Sequence, residues 1–254
     1  MLKTRANGIE IAYERLGLGT PLVLIHGHPL DHSIWDPLLP LLENDFDLIV
    51  PDLRGFGQSE TIRSRYRLVD MAADIIALLD HLEIQQAAIV GHSMGGYISL
   101  ACAAVSPSHI RGLGLIASHI FADPPERKSS RYETASEIEK KGVNLLADTF
   151  PAKLTADSSL QTILREIILR QSVPGVAESL RAMAERDDSA SLVQNARFPM
   201  VFIHGTNDVI IPIELAREAK LLADRIHLVE LVNAGHMPMM EEPQRTAEAL
   251  MMLK

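Results

Sequence analysis

Ala87-Ala88-Ile89-Val90-Gly91-His92-Ser93-Met94-Gly95-Gly96 decides how the rest of the chain reads. The apolar run ending in the β-branched pair Ile89-Val90 predicts a buried strand, and the Ala- and Leu-rich segment from Tyr97 to Val105 predicts a helix. Ser93 falls on the corner between them, inside a G-x-S-x-G pattern made with Gly91 and Gly95. Glycines on both sides let strand and helix crowd one sharp turn, on which the serine is strained and exposed. Its hydroxyl then stands at the carboxyl end of a strand and the amino end of a helix, where main-chain N–H groups stabilise a developing oxyanion. The competing reading is a glycine-bordered turn with an incidental serine, and the flanking strand and helix patterns weigh against it.

Upstream, polarity alternates on both sides of Asn7-Gly8, the signature of a hairpin, so the chain opens with two antiparallel strands. Leu22-Val23-Leu24-Ile25 and Phe46 to Val50 are continuously apolar, as strands covered on both faces are. The first ends in His26-Gly27-His28-Pro29, and a short helix is expected from Trp35 to Leu42. Leu68, Met71, Ala72, Ile75, Ile76, Leu79 and Leu82 recur at helical spacing. Downstream of the Ser93 turn, strands are expected at Gly112 to Ala117, Pro199 to Ile203 and Ile226 to Val232. Helices follow from Pro212 to Leu222 and after Glu242-Pro243. Strands alternating with amphipathic helices predict an α/β fold with a mainly parallel central sheet, helices on both faces, and ligands at the carboxyl ends of the strands. Between 119 and 195 no strand pattern appears; helices are expected at Ser136 to Asp148, Leu160 to Gln171 and Val176 to Glu185. That stretch reads as a helical cap (lid) inserted into a core domain of 1–118 and 196–254, with helices packed plainly on the sheet as the alternative.

An unassisted serine is a poor nucleophile, so a base must take its proton and a third group must orient the base. Of the ten histidines, His236 follows the last strand in a short loop approached by Ala234-Gly235, and Asp208 occupies the equivalent tip of the preceding strand. The order Ser93, Asp208, His236 fits one known arrangement of the serine triad. Asp123, after the strand before the insertion, is the spare acid. The oxyanion donors are expected to be the backbone N–H groups of Met94 and His28, and the substrate contacts His28, Met94, His119 and Met237.

The residue inventory excludes other chemistries. A hydrophobic fraction of 47% with 22% charged residues supports a sizeable core, and a net charge of −9 with no basic tract argues against nucleic acid. A lone Cys102 rules out an internal disulfide and reads as a small buried residue. His26, His28 and His32 lack evident carboxylate or thiolate partners in sequence, so no metal site is expected. Gly112-Leu113-Gly114 reads as close packing within a strand, Gly91 to Gly96 lacks the Lys-Ser/Thr ending of a phosphate loop, and Met237, Met239 and Met240 read as flexible core or pocket lining. The N-terminus lacks a signal-peptide core and no apolar run spans a bilayer, so a cytoplasmic protein without membrane association is expected.

His26-Gly27-His28-Pro29, Asp52 to Ser59, Gly91 to Gly96, Gly205-Thr206-Asn207-Asp208 and Ala234 to Pro238 together resemble the α/β-hydrolase superfamily along nearly the whole chain. Within it, these motifs and Arg181 to Asp187 look most like the carboxylesterase and 3-oxoadipate enol-lactonase-like group. The resemblance implies cofactor-free hydrolysis of a small-molecule ester or lactone through an acyl-enzyme on Ser93, and it leaves room for a homo-oligomer. Ser93 departs from the dehalogenases and epoxide hydrolases, which use aspartate there. A perhydrolase or haloperoxidase-like enzyme, and a hydrolase-fold ligand sensor read by a protein partner, are the alternatives.

Overall fold

The computed structural model describes residues 1–254. Eight strands form one sheet: β1 (Leu2–Ala6), β2 (Ile9–Leu16), β3 (Thr20–Ile25), β4 (Phe46–Pro51), β5 (Ala87–His92), β6 (Ile110–Ile116), β7 (Met200–Gly205) and β8 (Ile226–Leu231), in the spatial order β1-β2-β4-β3-β5-β6-β7-β8. β2 pairs antiparallel with β1 and β4, and every other pairing is parallel. The opening hairpin turns on Asn7 and Gly8, both at positive φ (49° and 81°), as a two-residue turn between twisted strands requires.

Apolar residues cover both faces of the sheet. Along β3, β5 and β7 the odd and even positions divide between two buried clusters: Val23, Ile25, Ala87, Ile89, Met200 and Phe202 in one, and Leu22, Leu24, Ala88, Val90, Val201 and Ile203 in the other. A strand whose side chains alternate between two cores must be apolar throughout, which accounts for the uninterrupted runs in the sequence. Helices α1 (Leu68–His81) and α2 (Met94–Val105) contribute to the first cluster. Gly112 and Gly114 permit close packing inside β6, where a Cβ would come within 2.9 Å of Leu253 and 2.7 Å of Val90 respectively. Cys102 is fully buried, and burial pushes its thiol pKa up. The helix expected from Trp35 to Leu42 is instead two single turns, His32–Trp35 and Leu39–Leu42, because Pro37 and Pro40 remove amide donors. Asp31 caps the first by accepting from the Ser33 amide at 3.1 Å.

Between β6 and β7 the chain is helical. Its long elements are α3 (Pro125–Lys141), α4 (Ser158–Leu169) and α5 (Val173–Ala184), with single turns at Asn144–Ala147 and Pro151–Leu154 and a short helix at Ala190–Asn195. α3 starts eleven residues before the expected Ser136, with Pro125 in its first turn, and ends at Gly142 (φ 82°) rather than at Asp148. Its buried residues are only Ala135 and Ile138, so its first half carries no apolar periodicity to read. α5 begins at Val173, capped by Ser172, and Gly175 packs so closely on Gly55 that a Cβ there would collide with the Gly55 backbone. The insertion contributes to both clusters, Val176 and Leu180 to one and Leu154 and Ile168 to the other, so it straddles the carboxyl rim of the sheet. The chain closes with α6 (Ile213–Leu222), a turn at Pro238–Glu241 and α7 (Pro243–Leu250). No helix is long and apolar enough to cross a membrane.

Candidate active site

Ser93 has φ 51° and ψ −113°, a conformation that L-residues avoid. The turn holds it there. Its amide donates to Ile116 O on β6 at 2.9 Å, and its carbonyl accepts from Gly96 N at 3.0 Å and from Ser118 Oγ at 2.8 Å. A Cβ on Gly91 would collide with the Gly95 backbone, one on Gly95 with Ile25 O, and one on Gly96 with Ser118, so each glycine is sterically required. The Ser93 side chain forms no capping bond with α2, and Ser93 lines a cavity of about 350 Å³. Met94 opens α2, so its N–H is among those with no acceptor inside the helix.

The loops after β7 and β8 are joined side by side. Thr206 N donates to Leu231 O at 2.9 Å and Asn207 N to Ala234 O at 3.0 Å, while a Cβ on Gly205 would strike the carbonyls of Ala234 and Gly235. This brings His236 Nδ1 within 2.7 Å of Asp208 Oδ2. The other Asp208 oxygen accepts from Ile210 N at 2.8 Å and Ile211 N at 3.0 Å. Burial alone would raise the Asp208 pKa, but the His236 ring, hydrogen bonds from His204 and His236 and the Ile211 amide hold it well below the usual carboxylate range. With its carboxylate ionised, Asp208 accepts from Nδ1–H and leaves Nε2 of His236 as the basic nitrogen.

His236 in turn lies against the residue that precedes Ser93. His92 Nε2 donates to His236 O at 2.8 Å, and the two rings meet edge to face with centroids 4.9 Å apart. Gly27 makes room for His92, since a Cβ there would come 2.5 Å from its Nδ1.

The α/β-hydrolase fold family model matches residues 20–243. The chain belongs to that family. An esterase from Thermogutta terrifontis, solved with malate bound, superposes on this α/β-hydrolase with a TM-score of 0.95 at 32% identity, covering 99% of this chain and 97% of that one. A dihydrolipoyllysine-residue acetyltransferase component of an acetoin cleaving system from Pseudomonas putida is 32% identical over 92% of the chain, which spans 63% of that relative. A 3-oxoadipate enol-lactonase from Acinetobacter baylyi is 27% identical over 94% of this chain and 91% of its own.

In this α/β-hydrolase the remaining expected residues fall in different places. His28 lines the Ser93 cavity; its Nδ1 lies 2.9 Å from Ser179 Oγ, and burial, followed by the nearby Arg131 charge, pushes its pKa down to about 3. Its ring is therefore neutral, and its backbone follows Gly27 beside the serine turn. The other three expected contacts do not put side chains into this cavity. Met94 and Met237 are fully buried in the two cores. His119 lines a neighbouring cavity of about 190 Å³ with Arg186 and Leu192; Tyr97 borders both. Asp123 is engaged by Arg131 (2.5 Å) and Arg186 (2.8 Å), so it orients guanidiniums rather than an imidazole. His26 is structural, accepting at Nε2 from Leu53 N at 3.0 Å. His32 does have carboxylate neighbours, Asp31 and Asp52, with donor atoms within 4.8 Å of one another. Arg170 already pairs with Asp31 at 2.7 Å, and Asp52 accepts from the His32 ring at 2.8 Å.

Two groups were not anticipated. Glu241 braces the histidine loop, its Oε2 accepting from Gly235 N at 2.8 Å and Met237 N at 3.1 Å, and its Oε1 from Thr155 Oγ1 at 2.6 Å. His236 N donates to Leu154 O at 3.0 Å, so the loop is also tied to the insertion. The only sequence signal for Glu241 is a carboxylate five residues after the histidine, which many surface helices would show. The second group is the set of Arg127, Arg131 and Lys153 on the cavity wall.

Proposed function

We propose that the chain is a serine hydrolase that cleaves a carboxylic ester or lactone of a small molecule through an acyl-enzyme on Ser93. The observation that carries this reading is the Asp208–His236 hydrogen bond, set against His92 next to a serine at positive φ. In the first step Ser93 Oγ attacks the carbonyl carbon and its proton passes to His236 Nε2. Asp208 orients the ring and stabilises the imidazolium that forms. The oxyanion receives the N–H groups of His28 and Met94, preorganised by the Gly27 turn and the α2 terminus. The imidazolium then gives its proton to the departing alkoxide, which stays tethered to the acyl group when the substrate is a lactone. Water, losing a proton to the same nitrogen, hydrolyses the acyl-enzyme and regenerates Ser93. Residues 119–195 act as the cap in this reading, over a core of 1–118 and 196–254.

The names carried by the Thermogutta and Acinetobacter relatives, an esterase and a lactonase, support the substrate class. The test is labelling with a fluorophosphonate, followed by peptide mapping and a panel of short esters and lactones. One label on the Ser93 peptide with turnover of the panel supports the proposal; label elsewhere, or full turnover by Ser93→Ala, overturns it.

A further inference from the structure

The wall of the Ser93 cavity carries a charge opposite to that of the protein. The chain has a net charge of −9, yet the cavity lining includes Arg127 and Arg131 of α3 and Lys153 of the Pro151–Leu154 turn, and no carboxylate. The acid behind them is Asp123. One of its oxygens is taken by Arg186 at 2.8 Å and the other by Arg131 at 2.5 Å, while Arg127 Nε stands 3.8 Å away with its side chain 42% exposed. Three guanidiniums thus share one carboxylate. Lys153 is exposed and enters no ion pair. The field reaches the serine side of the cavity, since the Arg131 charge helps depress the pKa of His28. The same cavity wall also carries Leu146, Phe150 and Leu180, which suit a short hydrocarbon segment.

From this arrangement we infer that the cavity selects esters or lactones bearing a free carboxylate in addition to the scissile group, with Arg127 and Lys153 holding that carboxylate. The inference rests on the reading of Ser93 as the nucleophile. Under-neutralised cations in a partly enclosed pocket attract an anion during approach and hold it once bound, and Arg127 offers a planar fork that matches a carboxylate. Arg131, already committed to Asp123, contributes charge without moving.

The test compares two methyl esters with the same five-carbon acyl chain, monomethyl glutarate and methyl pentanoate. At low ionic strength kcat/KM is expected to favour the charged ester by about tenfold, a few-fold from each of two partly solvated cations, and the ratio falls as salt is added. Substituting Arg127→Gln together with Lys153→Gln is expected to remove most of that ratio, and Lys140→Gln, on α3 but away from this cavity, to leave it intact. Equal or better turnover of methyl pentanoate by the parent protein overturns the inference, as does a ratio that the double substitution does not change. Binding is read independently of turnover by calorimetric titration with glutarate and with glutaramide. Glutarate is expected to bind more tightly, and at least fivefold less tightly in the double variant; equal affinity for the two, or no change in the variant, overturns the inference. If neither ester is cleaved and fluorophosphonate spares Ser93, the nucleophile reading fails, while the titration still decides whether the cavity holds a carboxylate.

Discussion

The rim of the sheet and the helical insertion each bury an aspartate among nitrogen-bearing side chains, and the two aspartates are set for different work. At the rim, Asp208 meets the rings of His236 and His204 and two backbone amides. In the insertion, Asp123 meets guanidiniums. Both carboxyls are held below their ordinary pKa, against burial in each case. The difference lies in the partner. An imidazole gains and loses a proton near neutral pH, so a carboxylate fixed to its Nδ1 sets which nitrogen acts as base. A guanidinium keeps its charge, so the same carboxylate can only hold it in place. The pair teaches that a buried acid is assigned by what it orients rather than by its own burial or charge.

The strongest way to break this contrast is at the rim. Ser93→Ala is expected to lower kcat/KM on a short ester by at least ~10⁴-fold, with Tm within a few degrees of the parent. Retained turnover would remove the rim from the chemistry altogether. Exchanging the two acids sharpens the comparison. Asp208→Asn is expected to reduce kcat by about 10³–10⁴-fold because the favoured ring tautomer is lost. Asp123→Asn should keep kcat within about tenfold but cost about 3 kcal/mol of stability by urea titration, because it leaves the buried Arg186 and the largely buried Arg131 uncompensated. The reverse pattern would transfer the orienting role to Asp123.

A smaller effect is expected at the seam between the regions. Gly175→Ala forces a Cβ against the Gly55 backbone and should cost about 1–3 kcal/mol, lowering Tm by about 5 °C. A neutral result would mean that the insertion rests loosely on the core. The gentlest comparison uses one histidine from each region. His28 and His119 are both pushed down to about 3, by burial first and then by Arg131 and Arg186 respectively. The unfolded chain protonates each near pH ~6.5 while the folded protein does so only near 3, so stability is lost as pH falls between those values. Each contributes a slope of up to ~1.4 kcal/mol per pH unit. His119→Gln should make unfolding free energy fall less steeply from pH 6 to pH 4, and an unchanged slope would show that the His119 ring is already charged in the fold.

The sheet was readable because steric demands write themselves into residue choice. Gly91 and Gly95 admit no side chain, Asn7-Gly8 takes positive φ, and β3, β5 and β7 must be apolar on alternate sides of two cores. The closeness of Asp208 and His236 was readable because adjacent parallel strands deliver their tips to one place. The insertion was less so. α3 is solvated along most of its length, and the spacing of Arg127 and Arg131 also occurs on any charged helix, so nothing local says that this face looks into a cavity. His119 and Met237 follow strand ends or the histidine loop as expected, but proximity along the chain does not fix direction: one side chain turns to a second cavity and the other into the core.

The bond from His236 N to Leu154 O, with Thr155 and the histidine loop sharing Glu241, has a consequence for anyone who would exchange insertions among relatives. A graft that replaces everything from β6 to β7 also replaces half of the clamp on the His236 loop. Chimaeras that retain the native 151–155 segment should keep the imidazole in register whatever helices replace the rest, whereas whole-segment transplants would lose the bonds that hold it there.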